Sequence, residues 1–401
     1  MHTDLDLVIL GGGCAGLSLA TELAHLGGAG PHAVVLEGRQ TYSHDRTWCF
    51  FKDGQAAPRT DVQHAWQSMR VASGAGSIAF DCGAARYEMV NAGQFYKNAQ
   101  IITSQSANVD LKMGVVVIKP PEKQNDLWKI DTDGGTFYSR YVVDTRPAQR
   151  PHRDGAKLWQ SFYGQEIACA EPIFETEYVD LMDFLEPRKE QIAFTYVLPL
   201  SPYRALIEAT VFDADPLSRD ALEAQLQAAI AQRLRGAAFS VVRSEHGILP
   251  MGMIPAAAVR SAPLSPLNRD LSYIKVGLTA GGARPATGYA FQRIQRWADL
   301  CASAIMAGKP LVTHPPDPLL LRMMDRLFLQ VIRAHPALAP ELFLLIFEKV
   351  DPKRLIRFLS DRGTFADYIA IIRALPPGPF LGQIVSRIRG AFGSHQDPRH
   401  S

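Results

Sequence analysis

The chain has 401 residues, and 42 Lys and Arg against 40 Asp and Glu leave a formal charge of +2. Apolar residues at 47% with charged residues at 20% rule out an intrinsically disordered chain, and the near-neutral total argues against a nucleic-acid partner. Five cysteines, an odd number with no C-x-x-C pair, argue against a disulfide scaffold and a structural zinc site. The length suits two or three domains at about 150 residues each. No run of about 18 apolar residues occurs, so no segment is expected to span a membrane. Asp4 and Asp6 stand where a signal peptide would carry positive charge, so no targeting signal is expected either.

The first forty residues carry the strongest local pattern. Leu5 to Leu10 is an apolar run of strand length. Gly11-Gly12-Gly13-Cys14-Ala15-Gly16 then fits G-x-G-x-x-G, a helical pattern runs from Leu17 to Leu26, and Gly27-Gly28 closes it. A second strand, Ala33 to Leu36, ends on Glu37. Gly11 allows the tight strand-to-helix turn, Gly13 admits a pyrophosphate to the backbone, and Gly16 lets helix and strand pack closely. The helix N-terminus offers N–H groups and a positive dipole end to the phosphates. Glu37 can accept both hydroxyls of an adenosine ribose and repels a 2′-phosphate, which argues against NADP at this site. The order strand, motif, helix, strand, acid makes this a dinucleotide fingerprint.

Further along, Tyr141-Val142-Val143-Asp144 reads as a strand ending on an acid. Ala193 to Leu200, Ser201-Pro202-Tyr203 and Arg204 to Phe212 read as a β-hairpin. Period two places Arg204, Leu206, Glu208, Thr210 and Phe212 on one face and Ala205, Ile207, Ala209 and Val211 on the other. Glu208 is then either a poorly solvated acid lining a tunnel or a surface carboxylate on an edge strand. Ile274 to Leu278 reads as a strand, Gly281-Gly282-Ala283-Arg284-Pro285 as a glycine-rich turn, and a helix is expected to start at about Ala286. Such a second helix N-terminus suits a flavin ring and its ribityl phosphate. These segments imply an α/β fold with a Rossmann-like, discontinuous FAD-binding domain over 1–75, 100–150 and 260–310. A β-sheet substrate domain takes 76–99 and 151–259.

After Pro315-Pro316 the pattern turns helical: Leu319 to Ala334, Pro340 to Val350, Pro352 to Ser360, Thr364 to Ala374 and Phe380 to Ala391. Lys349, Lys353, Arg354, Arg357 and Arg362 interleave there with Leu355, Ile356, Phe358 and Leu359. This C-terminal region, 311–393, reads either as a lipid-facing amphipathic segment or as helices packed on the core, and the two are compatible. Residues 394–401 read as a frayed tail. The eleven histidines form no H-x-x-x-H pattern, so no metal is expected. Cys14 and Cys49 lack a redox partner motif and read as packing residues.

Flavin hydroxylases resemble this layout, but their second glycine motif usually has an Asp where Thr279 stands. The chain more fully resembles the bacterial lycopene β-cyclase family. The similar blocks are Gly11 to Gly16, Asp45-Arg46-Thr47-Trp48-Cys49-Phe50, Trp159 to Glu166 and Leu181-Met182-Asp183-Phe184, followed by Leu198 to Thr210, Gly247 to Met251 and Pro285 to Tyr289. The family often has two adjacent acids before the Thr. Here the first, Glu208, is present and the second is Ala209.

That resemblance implies a linear carotenoid substrate, lycopene, whose ψ end groups close to β-ionone rings (giving γ-carotene and β-carotene). It implies Glu208 as the catalytic acid, with FAD acting in its reduced form, NAD(P)H as reductant and no net redox change. The residues expected at the cofactor are Gly11, Gly13, Gly16, Glu37, Arg46, Asp144, Gly281, Gly282, Pro285, Thr287 and Gly288. Asp183 and Glu245 are further acids, either proton relays or structural partners. Trp48, Phe50, Phe51, Trp159, Phe162, Tyr163 and Tyr289 are candidate lining for a polyene tunnel or plain core. A peripheral position on the cytoplasmic side of the membrane follows from the substrate. The rivals are an FAD-dependent hydroxylase or isoprenoid reductase on the same fold, and a flavoprotein that carries carotenoid without catalysis.

Overall fold

The computed structural model describes residues 5–52, 59–147, 156–185, 191–252 and 270–393. The first part of the chain forms β1 (Leu5–Leu10), α1 (Cys14–His25), β2 (Ala33–Glu37), β3 (Thr47–Lys52), β4 (Val62–Trp66), β5 (Ser68–Ser73) and β6 (Gly76–Asp81). Next come β7 (Arg86–Asn91), α2 (Ala92–Ser104), β8 (Val109–Met113), β9 (Glu122–Gln124), β10 (Leu127–Thr132) and β11 (Gly135–Asp144). The middle contributes β12 (Leu158–Cys169), β13 (Tyr178–Phe184), β14 (Ile192–Ser201), β15 (Arg204–Asp213), α3 (Arg219–Leu234) and β16 (Phe239–Met251). The last part gives β17 (Tyr273–Lys275), α4 (Phe291–Met306), α5 (Leu319–Ala334), α6 (Ala339–Lys349), α7 (Pro352–Leu359), α8 (Phe365–Ala374) and α9 (Pro377–Gly393).

Three sheets organise these elements. The first runs β8-β2-β1-β11-β10-β9, with β17 also on β11. Its β8, β2, β1, β11 and β17 are parallel. The unbroken apolar runs of β1 and β2 follow from burial on both faces. Leu7, Ile9 and Val35 pack under Leu19 and Leu23 of α1 and Trp297 and Cys301 of α4. Val8, Leu10 and Val34 pack on the other side with Trp128 and Ile130 of β10. The helix of the fingerprint starts at Cys14, earlier than the apolar period shows, because the Leu17 N–H already donates to the Gly13 carbonyl.

The second sheet runs β16-β12-β15-β14-β13-β5-β6 and is antiparallel except where β13 meets β5. The expected hairpin is β14–β15, joined at Pro202-Tyr203, with the two faces divided as period two requires. Ala205, Ile207, Ala209 and Val211 pack against Leu222, Leu226 and Ile230 of α3. Leu206 and Phe212 pack on the opposite face, in the same cluster as Phe51, Tyr87 and the C-terminal helices. The third sheet, β3-β7-β4, lies between these parts of the fold. The hairpin β5–β6 belongs to the second sheet and straddles residue 75, where a domain border was expected. The expected substrate segment 76–99 ends inside α2, which contacts α1 and β8.

One expected element is displaced. The helix after the second glycine motif begins at Phe291, not at about Ala286. Residues 284–289 close on themselves: the Gly288 N–H donates to the Arg284 carbonyl and the Arg284 N–H to the Tyr289 carbonyl. Gly288 sits at φ +70°, which no helix interior tolerates.

The five C-terminal helices fall close to where the pattern puts them, and they complete the core. Leu329, Leu342, Phe347, Leu355 and Ile371 are buried in one cluster with Phe80, Phe184 and Phe194 of the second sheet. Leu355 and Ile356 are 1% and 7% exposed, so the apolar side of the basic segment faces protein. Among the described residues no single helix is long and apolar enough to cross a membrane.

Candidate active site

The cofactor end is built by the two glycine motifs. Gly11 takes φ +95°, and its N–H donates to the Leu36 carbonyl at 2.8 Å. A Cβ on Gly16 would lie 1.9 Å from the Gly11 carbonyl oxygen, so only glycine fits. A Cβ on Gly13 would meet nothing within 4 Å: the backbone there borders open space at the start of α1. Glu37 is buried and accepts from the Gly12 N–H at 2.6 Å, the Arg39 N–H at 2.8 Å and the Arg39 Nε at 3.0 Å. Burial pushes its carboxyl up, but the Arg39 guanidinium and the two backbone N–H groups outweigh this and hold it below the usual range. Arg46 is half exposed and bonds Asp45 at 2.9 Å. Arg46 and Arg59 both act electrostatically on Cys14 at the first turn of α1. Arg59 is a cation that sequence reasoning passed over.

The second motif reaches the same place from the other side. A Cβ on Gly277 (φ +97°) would lie 3.4 Å from the Thr145 carbonyl oxygen and 3.8 Å from the Ala15 Cβ. Gly282 approaches the Gly277 carbonyl so closely that a Cβ would come within 2.6 Å. Gly281 takes φ +96° between them. His314 accepts the Gly277 N–H at 3.0 Å and packs against Trp297 with the rings tilted. Burial pushes its imidazole down to about 4, so it is a neutral acceptor that fixes the turn. No sequence signal marked it. Asp144 is buried and engaged by Arg146 at 2.8 Å and by the Tyr273 hydroxyl at 2.8 Å. Burial raises its carboxyl and Arg146 lowers it further, leaving it below the usual range. Pro285 accepts the Gly252 N–H at 2.9 Å, the Thr287 hydroxyl accepts the Tyr289 N–H at 3.3 Å, and a Cβ on Gly288 would lie 3.1 Å from Leu249. These contacts tie the motif to the second sheet.

The acid end lies on that sheet. Glu208 is on β15, a central strand, and is 8% exposed, so it is not an edge-strand carboxylate. Its Oε1 accepts from the Thr210 hydroxyl at 2.8 Å. Burial, and next the charge of Glu245, push its carboxyl up to about 8, against the Thr210 hydrogen bond and Arg243. Gly164 of β12 is the register partner of both Glu208 on β15 and Glu245 on β16. Gly164 has no side chain to separate the two acids; a Cβ there would lie 3.3 Å from the Glu208 Cβ. Glu245 is 5% exposed and accepts from Thr47 at 2.8 Å and from Arg243 Nη1 at 2.5 Å. Arg243 also donates to the fully buried Glu166 at 2.7 Å, as does Arg204. Arg243 was not legible as a site residue, because a lone Arg on a strand usually faces solvent.

On the other side of Glu208 its register partner is Tyr196. The Tyr196 hydroxyl donates to Tyr87 at 3.0 Å, and the Tyr87 and Tyr289 hydroxyls are 3.5 Å apart. Tyr289 follows Gly288, so this chain of hydroxyls runs from the second glycine motif to the strand residue paired in register with the acid. Trp48 and Phe50 stack on Phe291, and Phe51 packs on Tyr87 and Tyr289. Burial pushes the Cys49 thiol, beside these tyrosines, up to about 12, which keeps it an unreactive packing group, and it does the same to Cys14.

The other expected residues separate from this cluster. Tyr163 packs in the α3 cluster and accepts from Arg219 at 3.0 Å, and Trp159 shares its face by the strand period. Asp183 pairs with Arg233 of α3 at 3.3 Å and is not brought to Glu208. Ala209 is 1% exposed within the α3 core. An acid at this position would point away from Glu208, so the single acid here costs the Glu208 face nothing.

The arrangement unites two buried carboxyls, one with a single hydroxyl donor and one clamped by a guanidinium, and several π faces in a water-poor site. Such a pair can hold a proton at one named atom and donate it to a weak base.

Comparisons with known proteins agree. The family described as "Lycopene cyclase protein" matches residues 6–384. A lycopene beta-cyclase from Paracoccus sp. is 28% identical over 64% of this chain and 67% of its own length. A lycopene beta cyclase from Synechococcus elongatus is 30% identical over 44% of this chain and 42% of its own. One from Capsicum annuum is 27% identical over 47% of this chain, so the chain spans about two fifths of these two relatives. In fold, a flavin-dependent brominase superposes with a TM-score of 0.60 at 13% identity, covering 97% of this chain and 100% of its own. A geranylgeranyl bacteriochlorophyll reductase-like protein from Thermoplasma acidophilum gives 0.57 at 14% identity over 93% and 96%. The fold is therefore that of flavoprotein oxidoreductases and halogenases. The match over nearly the whole chain, with the acid block on a buried strand beside the second glycine motif, places this protein in the lycopene cyclase family.

Proposed function

We propose that this protein is a lycopene β-cyclase that closes the ψ end groups of lycopene to β-ionone rings. The observation that carries the reading is Glu208, a carboxyl kept protonated to about pH 8 by burial, in the block matching the family's essential acid. The ring forms when a proton adds to the terminal double bond, the neighbouring alkene attacks the tertiary cation, and a ring proton leaves. An alkene is a very weak base, so the donor must be held dry and neutral until it reacts. Thr210 orients the Glu208 carboxyl, while Tyr196, Tyr87, Tyr289 and Phe51 offer π faces to positive charge.

The residues fit FAD. Gly13 leaves open backbone for a pyrophosphate at the α1 N-terminus, and Gly16 and Gly282 allow approaches that any Cβ would block. Gly11, Gly13, Gly16, Glu37 and Arg46 would hold the adenosine diphosphate part, and Gly281, Gly282, Pro285, Thr287 and Gly288 the flavin end. Asp144 would fix the strand end between them. Bound FAD in its reduced form supplies negative charge that lowers the cost of a cation in a dry site. NAD(P)H serves as reductant without net consumption.

Anaerobic assay of the purified protein with lycopene-loaded vesicles tests this. Cyclisation is expected only with dithionite or NAD(P)H, with far less than one NAD(P)H oxidised per ring. Stoichiometric oxidation would instead favour a reductase or hydroxylase on the same fold. Full activity with oxidised FAD in air would sink the cofactor reading.

The substrate lives in a bilayer, and the lipid-facing surface differs from the basic segment 349–362. Leu319 and Met323 of α5 are 65% and 60% exposed, and Leu381, Ile384 and Val385 of α9 are 57%, 42% and 48% exposed. The helices α5 and α9 touch, and Arg322 and Arg326 stand exposed on α5. An apolar patch flanked by cations suits the anionic cytoplasmic leaflet. Leu381→Asp with Ile384→Asp is expected to cut flotation on anionic vesicles about tenfold or more, since each buried apolar side chain is worth about 1.5–3 kcal/mol. Unchanged flotation would remove this patch from the account.

A further inference from the structure

Two buried carboxylic acids share one face of the second sheet and differ in their surroundings. Glu208 has one hydroxyl donor, Thr210. Glu245 has two donors, one of them a guanidinium that is itself only 11% exposed. Gly164 stands between them in register and removes any screening side chain.

We propose that Glu245 is a positioning residue for the reacting proton: its carboxylate, clamped by Arg243 and Thr47 and facing Glu208 across Gly164, keeps that proton on Glu208. This rests on the proposed role of Glu208 as the acid. The physical argument is that two carboxyls in one apolar site cannot both ionise without cost. The charge-assisted bond from Arg243 selects Glu245 as the member that ionises first. Burial raises the Glu245 carboxyl too and leaves it above its usual range, with Arg243 and Thr47 acting against that rise. Glu208 then feels a fixed negative neighbour.

Among the described residues, Glu245 is the charge whose field raises Glu208. Arg204 on its own strand, Glu166 on β12, and Arg243 and Glu245 on β16 form one ion-pair network, with Arg243 shared between the two glutamates. Arg243 acts on Glu208 in the opposite sense, favouring its charged form. Tyr196 from β14, Tyr87 from β7, Cys49 from β3 and Tyr289 from the second glycine motif are neutral, with burial raising each of them. Glu245 is the remaining charge that opposes ionisation.

The test is Glu245→Gln, whose amide oxygen still accepts from Arg243 and Thr47. The protonated-carboxyl infrared band of Glu208, assigned by its loss in Glu208→Gln, is titrated in the flavin-loaded protein without substrate. Its midpoint is expected to fall by about one pH unit, from a charge at roughly two strand spacings in a partly polar interior. In parallel, cyclisation should drop about fivefold at pH 8 and hardly at pH 6, which a merely structural defect would not reproduce. Glu245→Met serves as a second variant, and whichever folds and retains flavin decides. A midpoint that stays or rises overturns the proposal. If the wild type does not cyclise lycopene and the midpoint still falls, the function is wrong and the electrostatic link holds. Normal cyclisation with an unmoved midpoint means the link alone is wrong.

Discussion

Glu208→Gln is expected to lower cyclisation by about a hundredfold or more while leaving the fold, flavin content and carotenoid binding intact. A positioned general acid contributes about 10²–10⁴ in rate, and the two other candidate acids among the described residues are committed elsewhere. Asp183 is committed to α3, and Glu245 is held by Arg243 and Thr47. Glutamine matches the volume and still accepts from Thr210 but has no acidic proton. In a lycopene-accumulating bacterium the wild type should turn red pigment to orange, and the variant should leave it red. Chromatography distinguishes β-carotene from γ-carotene. Retention of more than about a tenth of wild-type activity would remove Glu208 from the role of acid.

The same residue sets the pH dependence. In the proposed role the acid must be protonated, so activity is expected below about 8 and its loss is expected as pH rises through that value, which a pH–rate profile checks. Stability carries the same sign. A carboxyl whose folded value lies above its unfolded value favours folding fully at low pH, and that contribution is lost between the ordinary carboxylate range and about 8. Glu208→Gln removes this loss. The variant should therefore melt no lower than wild type at pH 8, which separates a catalytic role from a structural one.

The second large effect is expected at Arg284, inside the second glycine motif. Its side chain has 0% exposure, bonds Asp325 of α5 through Nε at 3.2 Å and Nη2 at 3.1 Å, donates to the Phe358 carbonyl and lies over the Phe358 ring. It is thus the bolt between the cofactor motif and the C-terminal helices. Arg284→Met would strand a buried carboxylate at Asp325, whose charged form burial already disfavours. Breaking one side of a buried pair costs about 3–5 kcal/mol, so the expected result is a lower midpoint in urea and loss of flavin. Adding Asp325→Leu to Arg284→Met should recover a good part of that stability. If the single variant loses under about 1 kcal/mol, or the double variant is additive, the bolt is not what joins these regions.

Much of the cofactor end was legible in order along the chain. G-x-G-x-x-G, the strands on either side of it and Glu37 are local features, and local backbone chemistry decides them. The hairpin around Glu208 was equally legible, because period two fixes which residues share a face whatever packs on it. The helix expected at Ala286 was misplaced because a glycine at positive φ and a bulky buried Arg284 override a plain helical pattern. The apolar side of residues 355 and 356 looked available to lipid, since a sequence cannot say which partner an amphipathic face meets.

By itself the sequence determined the fingerprint, the alternation that puts Glu208 opposite Ala209, and the family blocks, all set by spacing along one chain. Only the tertiary structure decided that Glu208 lies on a central strand and is dry, that Gly164 brings Glu245 alongside it, and that Arg243 clamps one of the two acids and not the other. It also decided that the hydroxyls of Tyr196, Tyr87 and Tyr289 run from the register partner of the acid to the second glycine motif. The reason is physical. Burial and the field at a carboxyl depend on neighbours tens to hundreds of residues away, and those neighbours are chosen by the packing of sheets and helices.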